Sequence, residues 1–92
     1  MTLDEAIKIA NEYIADAGDK YALDLGQVIE FDKGFCFTWN SKKYLRTRDQ
    51  EDIVLGPSNF IVPKDGSDIF CLGSAYDMEE LIEEFKEQMK GQ

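Results

Sequence analysis

Ninety-two residues, 43% hydrophobic and 12% aromatic, suffice for one modest core, so a single domain is expected and wholesale disorder is not. Nineteen acidic against ten basic residues leave a formal charge of −9, a field that repels nucleic acid and anionic membrane and attracts basic partners. Nothing approaches the ~20 apolar residues of a membrane span, and the opening Met-Thr-Leu-Asp-Glu has neither a basic start nor an apolar signal core, so the expected location is cytoplasmic.

In chain order, Thr2-Leu3-Asp4-Glu5 is a capping box, and it opens a helix expected over residues 3–17. Leu3, Ile7, Ala10, Ile14 and Ala17 form its apolar stripe, flanked by Ala6, Ile9 and Tyr13, and Gly18 ends it. Residues 23–31 read as a strand, interrupted at Gln27, with a bulge at Gly26. Asp32-Lys33-Gly34 is a hairpin turn into a strand over 35–39, which places Phe35, Phe37 and Trp39 on one face and Cys36 and Thr38 on the other. Asn40-Ser41 reads as a turn and 42–45 as a short third strand, after which Asp49 can cap a helical turn over 50–54. Gly56-Pro57-Ser58 is a connector. A hairpin follows, with strands at 60–62 and 69–72 around Lys64-Asp65-Gly66-Ser67. Asp77, with Glu80 three residues on, caps a last helix with the apolar stripe Met78, Leu81, Ile82, Phe85 and Met89.

The chemistry of catalysis is missing. With no histidine there is no Ser-His or Cys-His pair, and no phosphate-cradling glycine motif is present. Carboxylates are too numerous for a pair of them to signify acid–base work, and Asp65-Gly66-Ser67-Asp68 lacks the alternating ligands of a calcium loop. No metal or cofactor is therefore expected. Cys36 and Cys71, without a C-x-x-C pattern, read as free buried thiols, although a bridge stays open if they face one another.

Two features point to binding. Glu79, Glu83 and Glu87 line one helical face at i, i+4 spacing, with Glu80 and Glu84 alongside; this is either a solvated face or a dock for a basic partner. Lys42, Lys43, Arg46 and Arg48 cluster beside Trp39 and Tyr44, the composition of an interface anchor or of a charge-protected strand edge.

At Tyr44-Leu45-Arg46-Thr47, and more fully at Leu72-Gly73-Ser74-Ala75 leading into the last helix, the chain resembles the YrhB-like immunity family, also called immunity protein 35. The family's opening T-x-x-E-A helix is matched by Thr2, Glu5 and Ala6, and its aromatic strand ending by Trp39-Asn40. The resemblance runs through the whole chain in order. Three departures stand out: Arg46 and Arg48 replace the glutamate and glycine of the family's Y-L-E-T-G motif, Gly56-Pro57-Ser58-Asn59 reorders a G-N-x-P segment, and Asp77 stands where proline opens the helix. The resemblance implies a small α+β domain without catalytic residues that binds and neutralises a cognate bacterial toxin of a polymorphic or contact-dependent system.

The combined expectation is a single domain over 1–92 of the α+β class, an antiparallel sheet of four to five strands with the N- and C-terminal helices packed on it. It would act on a toxin with a basic surface through Glu79, Glu83 and Glu87, anchored by Trp39, Tyr44 and Arg46. It would bind neither nucleic acid nor membrane, and its strand edges would permit a homodimer. The alternative is a general protein-interaction or chaperone-like module without a dedicated toxin, marked by an exposed apolar patch.

Overall fold

The computed structural model describes residues 1–52, 58–73 and 76–90. The expectations for residues 53–57, within the helical turn and connector, and for Ser74-Ala75 lie outside them.

Helix α1 (Leu3–Ala15) starts at the capping box, with the Glu5 amide donating to Thr2 Oγ1 at 3.2 Å and the Thr2 amide donating to Glu5 Oε1 at 3.2 Å. Its buried face is Ala6, Ala10 and Ile14, with Ile7 half-buried against the same core, so the expected stripe holds in its middle; Leu3 at its start is exposed, and Ala17 is exposed beyond the helix end at Ala15. Small alanines at the contact let the helix approach the sheet closely, where a larger residue would hold it off.

The expected strand over 23–31 divides. Strand β1 (Tyr21–Leu23) and β2 (Ile29–Phe31) are separated by a 3-10 turn over Leu25–Gln27, so Gly26 sits in that turn and not in a bulge. The next strand also divides, at Thr38. Strand β3 (Gly34–Phe37) lies between β2 and β5 (Phe60–Pro63), whereas β4 (Trp39–Ser41) leaves to pair with β1. All pairings are antiparallel, giving a three-stranded sheet β2-β3-β5 and a two-stranded sheet β1-β4 where a single sheet was expected. The strand expected at 42–45 is instead the helix α2 (Lys42–Thr47): Ser41 Oγ accepts the Tyr44 amide at 3.0 Å, which starts a helix at the residue read as a turn. The return strand at 69–72 reduces to one bridge, Phe70 with Ile61; the preceding turn holds, with Gly66 at φ +83°.

The larger sheet is covered on both faces, and the period of two decides what each helix meets. Phe35, Phe37, Phe60 and Val62 pack with Ala6, Ala10 and Ile14 of α1. Cys36 and Ile61 point the other way, against Leu81, Ile82 and Phe85 of α3 (Met78–Lys90). Gly34 is required for close approach: a Cβ there would lie 2.6 Å from the Val62 carbonyl oxygen. Helix α3 is capped as expected, the Glu80 amide donating to Asp77 Oδ1 at 2.8 Å. Cys36 and Cys71 are both free thiols and belong to opposite layers: Cys36 lies on the α3 side, and Cys71 packs on the α1 side beside Tyr13. That separation rules out a bridge between them in this fold. Burial pushes the Cys36 thiol up to about 12, so it is a packed apolar group and not a nucleophile.

Candidate partner-binding site

Switching β4 from one sheet to the other creates the first candidate site. With the turn after β1 and with α2 it frames a cleft of about 170 Å³ lined by Asp24, Gln27, Thr38, Trp39, Asn40, Tyr44 and Leu45. Trp39 and Tyr44, both half-buried, therefore share one wall system, although Tyr44 reaches it from a helix. The Trp39 indole N–H donates to the Ser58 carbonyl at 2.7 Å, and its ring meets Tyr21 edge-on at 5.2 Å. The indole is held in a fixed pose with its donor already satisfied. Arg46 is exposed in the last turn of α2, on the side of Asp52; Thr47 chiefly, and Lys43 and Arg46 in smaller measure, lower the Asp52 carboxyl.

The cleft contains a residue that composition and spacing did not single out. Asp24 is only 6% exposed. It accepts both guanidinium nitrogens of Arg48, at 2.9 and 3.3 Å, and the Gln27 side-chain amide at 2.6 Å. The Arg48 hydrogen bonds are the main cause of its lowered carboxyl pKa, burial opposes them, and Gln27 and the Gly26 amide add to them. The carboxylate is thus already engaged within the fold, with three donors on its two oxygens. Its role is to tie the end of α2 to the turn after β1. One signal was available in the sequence: Asp24 is the only charged residue from Tyr21 to Ile29.

Arg48 itself sits at φ +57° as the C-terminal cap of α2. That is a left-handed position of the kind glycine fills at helix ends. Two of the departures noted above gain a physical account here. Arginine occupies the glycine position of the Y-L-E-T-G motif, and its fork onto Asp24 offsets the strain. Asp77 replaces the helix-opening proline and supplies a side-chain cap instead.

The second candidate site is on α3. Glu79, Glu83 and Glu87 are all exposed, as are Glu80 and Glu84. The ion pair on this face, Lys90 to Glu87 at 3.8 Å, joins two largely exposed side chains and is weak. The structure thus places the six expected residues in two groups on different elements. Trp39, Tyr44 and Arg46 belong to the β1-β4-α2 unit, and the glutamates to the helix packed on β3 and β5.

Among the described residues no cluster of three or more His, Cys, Asp or Glu side chains could hold a metal ion, and no helix is long and apolar enough to cross a membrane. The model of the family "Immunity protein 35" matches residues 4–87. The chain belongs to the immunity protein 35 family. A relative, YrhB of Escherichia coli (strain K12), is 31% identical over 90 residues, covering 94% of this chain and 89% of that protein. No solved structure matches. The matched span takes in α2, both sheets and nearly all of α1 and α3, so the family framework includes the α2 region where Arg46 and Arg48 depart from the motif.

Proposed function

We propose that the protein is a non-catalytic immunity protein of the cytoplasm that neutralises one cognate bacterial toxin by stoichiometric binding. The match to the immunity family over residues 4–87 carries this reading. Two physical features support it. The formal charge of −9 draws a basic protein surface by long-range attraction, and the exposed glutamates of α3, weakly paired at Glu87 alone among the described ion pairs, offer that surface an acidic stripe. The chain has no histidine, the commonest general base, and among the described residues no cluster of His, Cys, Asp or Glu side chains could hold a metal ion.

The test is capture of the toxin encoded in the neighbouring reading frame by the wild type and by E79K/E83K/E87K. The expected outcome is a salt-sensitive complex whose association rate falls by about tenfold or more in the triple variant, since charge on the binding face acts mainly through encounter. An unchanged rate would remove α3 from the interface.

A further inference from the structure

The C-terminal half of α3 overhangs two turns, and between them lies a groove that the acidic stripe does not explain. It consists of two cavities of about 330 and 310 Å³ that share Met89. The first is lined by Asp32, Lys33, Lys86, Met89 and Lys90. The second has an apolar floor of Pro63, Ile69, Phe70 and Phe85, with Asp65 and Asp68 on its rim. The two turns are fastened side by side, the Lys64 amide donating to the Lys33 carbonyl at 2.9 Å. The floor is rigid: Phe85 meets Phe31 edge-on at 5.9 Å and Phe70 at 5.2 Å. Half-buried Met89, with its flexible thioether chain, is suited to adjust to an inserted side chain.

The charge of the first cavity runs against that of the molecule. Three of the chain's ten cationic residues surround it, with one aspartate opposing. Lys90 lies in the last turn of α3 and complements the helix dipole. That account does not extend to Lys33, which the β2–β3 turn brings in from the other side. The lysines are weakly engaged internally. Lys86 lies over the Phe31 ring at 5.8 Å, Lys90 pairs with Glu87 only at 3.8 Å, and Lys33 is the least of the influences that lower Asp65.

We infer that this groove docks a segment of the partner in which a carboxylate side chain neighbours a large apolar one, the carboxylate entering among Lys33, Lys86 and Lys90 and the apolar group lying on Phe70 and Phe85. The inference rests on the reading of the partner as a toxin. The acidic stripe attracts any basic protein, whereas a cationic corner on the same molecule repels a uniformly basic surface and accepts only one that presents an acid at that spot. The corner therefore sets register and discriminates among partners, a task that net charge cannot perform.

The test compares toxin affinity, by calorimetry, for the wild type and for K33E/K86E/K90E, with circular dichroism confirming the fold. Net charge alone predicts stronger binding of a basic toxin by the more acidic variant. The groove predicts the opposite, a loss of at least about tenfold. A smaller loss, or a gain, overturns the proposal. Should the wild type bind no toxin, the function proposed above fails, and the groove is decided by titrating the full chain with N-acetyl-Phe-Asp-amide and N-acetyl-Phe-Asn-amide under amide-resolved NMR. Shifts at Lys33, Phe70 and Met89 with the aspartyl peptide and not with the asparaginyl one support the groove. Equal shifts, or none there, overturn it.

Discussion

Asp24 shows how a single buried charge can organise a unit built from short elements. The three-residue strands β1 and β4 have little stability of their own, and the carboxylate joins the turn after one to the helix after the other. Replacing it in D24N keeps the shape and removes the charge, leaving the Arg48 fork unmatched. The Arg48 side chain is half exposed and water can reach it, so the expected cost is about 1 kcal/mol at neutral pH, measured by urea unfolding. Because the folded-state carboxyl lies below its ordinary value of 3.8, its contribution is fully present above that pH and is lost as pH falls through the lower folded value. The stability gap between wild type and D24N should therefore close on acidification below 3.8. Arg48 gives a second prediction at the same scale. R48G and R48A both delete the ion pair, but only glycine adopts φ +57° without strain, so R48G should melt at the higher temperature of the two. Equal melting temperatures would show that the backbone position imposes no such demand.

At the scale of elements, what could be read from the sequence depended on whether the deciding interaction was local. Both long helices announce themselves through their own first turns, Thr2 with Glu5 and Asp77 with Glu80, and α3 buries Leu81, Ile82 and Phe85 as its periodicity requires. The alternation Phe35/Phe37 against Cys36 correctly assigned two faces to β3. The misread elements were settled by distant partners. Residues 35–39 look like one strand, yet Trp39 pairs with Leu23 while Phe37 pairs with Phe60, and nothing within the segment signals the change of sheet. Reading Asn40-Ser41 as a turn makes Lys42 to Leu45 a strand, whereas Ser41 is the N-cap of α2. Of the candidate site, the glutamate face and the Trp39–Tyr44 neighbourhood were legible as composition. The Asp24–Arg48 pair, separated by 24 positions, was not. Ser41 carries the prediction here. Its hydroxyl accepts the Tyr44 amide and donates to the Asp52 carbonyl at 3.0 Å, so S41A loses a cap and strands a carbonyl. A destabilisation of about 1–2 kcal/mol in thermal or urea unfolding is expected, with α2 fraying first in hydrogen exchange.

For the whole molecule the account joins a family framework to a charge distribution. The described chain extends 42 Å along its longest axis, with the β1-β4-α2 unit and the α3 helix packed on different parts of the fold. In the proposed complex the acidic surface would govern encounter, and the apolar and cationic groove at the end of α3 would govern fit, as separable contributions to rate and to residence time. The central claim is inhibition by occupancy without turnover. The most direct measurement is native mass spectrometry of the protein titrated into the toxin from the neighbouring reading frame, with toxin activity followed in parallel. The account predicts loss of activity in strict proportion to the complex formed, and recovery of both proteins chemically unchanged when the complex is dissociated. Inactivation of excess toxin by substoichiometric protein, or a covalently altered toxin, would contradict it.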